Sequence, residues 1–192
     1  MWMGASPERL IQTNGNKLKT MALAGTQPYL GKLNVSWTEK DQHEQEFVTE
    51  YILEQLKDLT KSLHVSGPET VIAGNLLHLR TTITAEMNSN DFLEELIEKI
   101  HPTPAVCGVP KNKAASYILE NEGYDRSYYS GYLGELNMNN SNTLFVNLRC
   151  MEIVGQTATL FVGGGITKDS IPENEWRETV DKAFIMKSIL NE

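Results

Sequence analysis

The chain has 192 residues, 40% of them hydrophobic and 22% charged, enough for one sizeable core and unlike the composition of a disordered segment. Its formal net charge of -8, with no lysine or arginine cluster, excludes the basic face that nucleic-acid binding needs, so no nucleic-acid partner is expected. Two cysteines in no metal-type spacing, no signal-peptide pattern in "MWMGASPERL" and no run of about 18 apolar residues together predict a reduced, cytoplasmic protein without a membrane span.

The segment "ASPERLIQTNGNKLKT" reads as a strand, a tight turn at Asn14-Gly15 and a second strand, because Asn-Gly supplies the two positive φ angles of a short hairpin. A chain that opens in mid-sheet is expected to be truncated at its N-terminus. In "MALAGTQPY", Ala24, Gly25 and Thr26 leave room for close approach to the backbone. From Thr38 the period becomes 3.6, and Phe47, Val48, Tyr51, Ile52, Leu56, Leu59 and Leu63 form one apolar helical stripe. Asp41 and Glu44 lie on the same helix, and Glu44, four residues before Val48, extends that stripe and points inward. Strands are expected over "ETVIAG" and "NLLHLRTTITAEM". A helix is expected over "NDFLEELIEKI", capped by Asn90 or Asp91, and another over "NKAASYILENEG", closed by Gly123. Between these helices "HPTPAVCGVPKN" holds three prolines, more structure breaking than a connector of two to six residues needs. The last third predicts a strand in "DRSYYSGYLGELNM" and a meander of neighbouring strands through "TLFVNLRCMEIVG" and "TATLFVGGGI". Ser170, Pro172 and Glu173 then announce a final helix whose buried face is Trp176, Val180, Ala183 and Phe184.

Several groups along this chain could carry chemistry. Gly163, Gly164 and Gly165 join a strand to a helix, so they form either a plain turn or a cradle of N–H groups for an anion. Glu175 and Glu178 share a helical face with Lys182, which alone reads as a solvated face with one ion pair. A second such pair on another helix, Asp41 and Glu44, allows the two helices to hold a hard divalent cation between them. His78 and His101 read by default as histidines satisfied by backbone. Arg149 sits in apolar surroundings, where a guanidinium needs a carboxylate-type partner. Tyr128, Tyr129 and Tyr132 read equally as core aromatics or as hydroxyl donors to a ligand.

Six stretches, "SPERL", "LAGT", "HPTPAVCGVP", "RSYYSGYLGEL", "GGGI" and "EWRETVDKA", occur in the order and approximate spacing of the chorismate-utilising enzymes, and within that family the chain most resembles isochorismate synthases. The resemblance implies an α+β fold of large antiparallel β-sheets packed with helices, like that of anthranilate synthase. It makes residues 1–192 the C-terminal portion of a single chorismate-binding catalytic domain. It also implies chorismate as substrate, Mg²⁺ as cofactor, and isomerisation to isochorismate for menaquinone or siderophore synthesis. By motif, Glu8 resembles the acid that protonates the departing hydroxyl, which requires a raised pKa. Glu44 and Glu178 resemble the Mg²⁺ ligands, with Asp41 and Glu175 supporting them. Arg149 and Tyr129 resemble the grip on the enolpyruvyl carboxylate, assisted by Gly163 to Gly165. Lys182, His78, His101, Gly25 and Thr26 resemble pocket residues, and the proline-rich stretch resembles an irregular pocket wall. Ala105 in that wall stands where salicylate synthases tend to carry threonine, which favours isomerisation without pyruvate loss. Salicylate synthase, an anthranilate or aminodeoxychorismate synthase component, and a chorismate-binding remnant without turnover are the alternatives. Two departures stand out. Gln45 replaces the histidine usual after Glu44, and the family's water-activating lysine precedes "SPE" by tens of residues, where this sequence has five residues before Ser6.

Overall fold

The computed structural model describes residues 1–89 and 91–190, so Asn90, one of the two expected helix caps, lies outside the described residues. Burial alternates only over parts of β2 (Arg9–Asn14), β3 (Lys17–Pro28) and β5 (Leu76–Met87); β3 is buried on both faces from Thr20 to Gly25 and β5 from Leu76 to Leu79, which makes them the centre of the sheet. They join β4 (Thr60–Ala73), β6 (Tyr132–Met138) and β7 (Ser141–Val146) in a six-stranded antiparallel sheet of order β4-β5-β3-β2-β7-β6. A second sheet of three strands, β1 (Trp2–Gly4), β8 (Cys150–Val154) and β9 (Thr157–Phe161), has the order β1-β8-β9. The expected hairpin is present, but Asn14 closes β2 opposite Lys17, so the tight turn falls on Gly15 and Asn16, of which only Gly15 has positive φ; the first strand begins only at Arg9, and Ser6 to Glu8 lie in the connection from β1.

Helix α1 (Glu39–Leu56) starts at a capping box in which Thr38 and Asp41 satisfy each other's backbone N–H groups. Its buried face is Gln45, Val48, Ile52 and Leu56. The predicted stripe runs too far at both margins: Phe47 is 55% exposed, Leu59 lies beyond the helix, and Leu63 belongs to β4. Helix α2 (Leu93–Ile100) begins without a side-chain cap, so Asp91 does not serve as one. Together α1 and α2 bury Val48, Ile52, Leu56, Leu96 and Ile100 against Leu10, Ile11, Leu18, Ile83 and Leu144 of the large sheet, which forms the core.

Two helices are largely exposed, the final one against expectation. Helix α3 (Lys111–Asn121) buries none of its residues, and Gly123 follows it at φ 73°, the left-handed position expected after a helix end. In α4 (Pro172–Leu190), Trp176, Val180 and Phe184 are 72%, 44% and 59% exposed, and only Ala183 of the expected face is buried. Among the described residues of α4 the buried ones are Glu175, Ala183 and Met186, so α4 turns a carboxylate rather than Trp176, Val180 and Phe184 toward the protein. Ser170 accepts from Thr167 N before the helix and does not cap it, while Pro172 takes the first helical position.

The C-terminal meander is also corrected. Residues 127–130 form a turn rather than strand, with Ser127 and Ser130 at positive φ. The run "TLFVNLRCMEIVG" breaks after Val146, and β7 and β8 enter different sheets. The break passes through Arg149, which lies at φ 46°, a left-handed conformation that costs a non-glycine residue roughly 1 kcal/mol. Thus Arg149 sits in a sheet-to-sheet crossing, where its side chain is free of strand alternation.

Candidate active site

One cleft opens where four irregular features meet: the Ser6 to Glu8 connection, the Gly25-Thr26 bulge, the Arg149 crossing and the Gly163 to Gly165 linker. The bulge interrupts pairing between Ala24 and Gln27, and Gly25 takes φ 69° there. A side chain at Gly25 would press on Trp37 and Asp41 at 3.2 and 3.3 Å, so a compact residue is needed. Twelve of the expected site residues line this cleft: Glu8, Gly25, Thr26, Glu44, His78, Ala105, Tyr129, Arg149, Lys182 and the three glycines. Glu175 and Glu178 flank it behind Gly164, whose Cβ would lie 3.4 Å from Glu178 Oε1 and 3.7 Å from Glu175 Oε2.

Arg149 and His78 form the cationic end. His78 Nδ1 lies 2.7 Å from the Gly25 carbonyl, which fixes that nitrogen as a donor and leaves Nε2 to accept from Arg149 Nη2 at 2.5 Å. Burial, and then the charge of Arg149, hold the imidazole pKa down at about 4, so His78 is neutral. Arg149 also donates to Ala73 O at 3.2 Å. Among the described residues no carboxylate pairs with this buried guanidinium, so the carboxylate-type partner expected for it is not supplied by them. A buried cation facing a cleft without its own anion is suited to an anionic ligand. Tyr129 stands on the same side, its pKa pushed up to about 12 by burial, and its hydroxyl would meet a Gly163 Cβ at 2.6 Å.

Glu8 is 2% exposed. Burial raises its pKa to about 7, against the pull of Lys182 and of the Thr103 hydroxyl, so near neutrality it holds a proton that it can give. Glu44 is raised to about 7 as well, by burial and by repulsion from Glu178, with Lys40 and Lys182 opposing. A Gly165 Cβ would lie 2.6 Å from Glu44 Oε1, so the glycine linker is a seat for these carboxylates.

The carboxylates at present hold ammonium groups. Lys40 Nζ lies 2.6 Å from Glu175 Oε1, and Lys182 Nζ lies 2.7 Å from Glu178 Oε1 and 3.0 Å from Gly163 O. Among the described residues no three metal-ligating side chains converge on one coordination point in this arrangement. The donor set nonetheless fits a hard divalent ion. Glu44, Glu175 and Glu178 offer oxygens around Gly164 and Gly165, and Glu175 Oε2 is buried without a hydrogen-bond partner. Asp41 is engaged differently: Oδ2 accepts from Thr38 N and Oγ1, and its Cβ packs toward Gly25, so it supports α1 and the bulge.

His101 does not line the cleft. It packs edge-on against Tyr132, 5.1 Å between ring centroids, and burial lowers its pKa to about 4. The stretch it begins is the expected wall: Ala105 and Val106 face the cleft. Two cations outside the predicted set fix that wall. Lys111 Nζ donates to the carbonyls of Glu98 and His101 at 2.9 and 2.5 Å. Arg126, which also lines the cleft, pairs with Glu122, donates to Val106 O at 2.9 Å and lies over the Tyr129 ring. Arg126 stands two residues before the tyrosine pair in "RSYY", the signal from which it could have been read. Gln45, the departure noted above, is buried and donates to Ala22 O and Thr81 Oγ1, tying α1 to β3 and β5.

The chain resembles known proteins over its whole length. It is 34% identical to the isochorismate synthase EntC of Escherichia coli strain K12 over 197 aligned residues, covering 97% of this chain and 50% of the relative. The structure of MenF, the menaquinone-specific isochorismate synthase from Escherichia coli, superposes with a TM-score of 0.87 at 31% identity, covering 98% of this chain and 46% of that one. Anthranilate synthase component I from Streptococcus pneumoniae, at 24% identity and TM-score 0.80, shares the fold. The chain thus spans about half the length of the curated relatives it matches. A profile described as chorismate binding enzyme matches residues 1–191, and with the cleft placed as above the chain belongs to the chorismate-binding enzyme family.

Proposed function

We propose that this chain carries the chorismate-binding portion of an isochorismate synthase. The observation that carries this reading is the pairing of a buried, proton-holding Glu8 with Arg149, which no carboxylate among the described residues pairs, across one cleft that Glu44 of α1 lines and that Glu175 and Glu178 of α4 flank behind Gly164. Chorismate has two carboxylates and a leaving hydroxyl, and the cleft offers a group for each. Arg149, held by neutral His78, grips the enolpyruvyl carboxylate with the Tyr129 hydroxyl. Glu44 and Glu178, supported by Glu175, would hold Mg²⁺, which when bound would neutralise the ring carboxylate and withdraw charge from the ring. Water then forms the new C2–O bond, the ring double bonds each shift by one position, and the C4–O bond breaks. The Glu8 proton passes to the departing hydroxyl, which leaves as water.

The attacking water must also lose a proton. The His78 Nε2 lone pair is committed to Arg149, and the Lys182 ammonium, donating to Glu178 and Gly163, has no lone pair to offer, so neither takes a proton from water in this arrangement. This favours a second reading, in which the chain binds chorismate while the base comes from the longer polypeptide that relatives possess. The small Ala105 at the wall supports isomerisation over pyruvate elimination. Incubation with chorismate and Mg²⁺, followed by chromatography, tests both. Isochorismate without salicylate or pyruvate is the result expected of the synthase. Saturable chorismate binding without product supports the second reading, and absence of binding overturns both.

A further inference from the structure

Lys40 is the one ion-paired lysine that bridges α1 to α4 among the described residues, and it occupies charge that a metal would need. Its ammonium rests on Glu175 Oε1, with 20% of the lysine side chain and 9% of the glutamate side chain exposed. Its charge also acts on Glu44, one turn later on α1, and on Glu178, one turn later than Glu175 on α4. Lys182 is anchored twice, to Glu178 and to the Gly163 carbonyl, whereas Glu175 is the only acceptor Lys40 has among the described residues. Lys40 also borders a groove with Phe47, Ile166 and Asp169 that gives its side chain a way out to water.

A divalent ion among Glu44, Glu175 and Glu178 adds two charges beside that ammonium, and like charges at contact distance repel strongly where water is scarce. Resting on the magnesium reading above, we propose that Lys40 is a competing internal cation: it neutralises Glu175 in the metal-free protein and leaves it when Mg²⁺ binds, so metal binding releases the α1–α4 cross-link. The buried carboxylates then never stand uncompensated, and the metal-free chain keeps its fold at the expense of metal affinity. By linkage, what Lys40 gains from Glu175 is what Mg²⁺ loses.

Two measurements on the 192-residue chain test this. In the first, lysines are acylated with an amine reagent at increasing Mg²⁺, and the modified sites are mapped by mass spectrometry. Labelling of Lys40 is expected to rise with Mg²⁺ and to half-saturate where calorimetry shows the ion binding. In the second, Mg²⁺ is titrated calorimetrically into Lys40→Met, which is expected to bind roughly tenfold tighter than the unaltered chain, the scale of an ordinary coupling between two ligands of one site. Where that variant does not fold, the labelling result decides alone. Mg²⁺ bound by the unaltered chain with Lys40 labelling unchanged or slowed, or Mg²⁺ bound no tighter by Lys40→Met, overturns the competition and leaves the magnesium site intact. No Mg²⁺ binding by either chain removes both.

Discussion

At the scale of single residues the site depends on protons held in unusual places. Glu8 titrates near 4.5 in ordinary surroundings and at about 7 when folded. Between those values the unfolded chain has shed this proton and the folded chain keeps it, so the group's contribution is whole below about pH 4.5 and is lost as pH rises toward 7. Glu44, also raised to about 7, adds a slope of the same sign. For Glu8 the full shift corresponds to about 3 kcal/mol. Glu8→Gln keeps the shape and removes the charge, so it should raise Tm at pH 8 relative to the unaltered chain and leave it unchanged at pH 4.5. On the proposed isochorismate synthase reading it should also abolish isomerisation, since an amide has no acid proton to give. Melting curves of both chains from pH 4.5 to 8 check the first part; identical Tm at pH 8 would mean that the Glu8 carboxyl is hydrated rather than buried. His78 shows the complementary device, a histidine kept neutral so that its lone pair can orient a guanidinium.

Among elements, the segment from 101 to 110 is ordered without being regular, and the Lys111 ammonium closes one end of it while Arg126 holds Val106 O. Lys111 reaches back from the start of α3 to carbonyls at the end of α2, partners that a helix C-terminus otherwise leaves to water. Lys111→Met keeps the aliphatic stem and strips those bonds, and should destabilise the chain by about 1–3 kcal/mol, the usual worth of charged hydrogen bonds. Urea unfolding checks it: the midpoint should fall while the slope stays constant. The sequence made the hairpin, α1 and α2 legible because their apolar spacing is local. It also made most of the cleft legible, through motifs whose residues the fold brings together. Arg149 was misjudged as a strand residue because its φ of 46° depends on a change of sheet, which no periodicity encodes. His101 was misplaced because motif order cannot show which way a side chain leaves an irregular wall. The exposed face of α4 was misread because Trp176, Val180 and Phe184 have helical spacing of the kind a buried stripe has.

For the whole molecule, apolar surface stands where pairing and packing end. Strand β6 lies at one edge of the large sheet with every residue exposed, and Leu133, Leu136 and Met138 are each more than half exposed. Strand β4, at the opposite edge, leaves Leu63, Val65 and Ile72 open, and α4 adds Trp176 and Phe184. Edges of this kind, with free N–H and C=O groups beside apolar side chains, invite pairing with another strand. Pro68 and the register shift between Ser66 and Glu69 interrupt β4, whereas β6 carries no proline. The net charge of -8 opposes close approach but is screened beyond about 8 Å at physiological ionic strength. The chain should therefore self-associate as concentration rises, and more so in salt. Sedimentation velocity at several concentrations checks this, with Leu133→Lys combined with Leu136→Lys as the comparison. Because β6 is exposed on both faces, these changes should leave the circular dichroism spectrum as it was while shifting the distribution toward monomer. A monodisperse monomer of the unaltered chain at high concentration and high salt would show that β6 is not a pairing edge. Association unchanged by the two lysines would move the contact to β4 or to the aromatic face of α4.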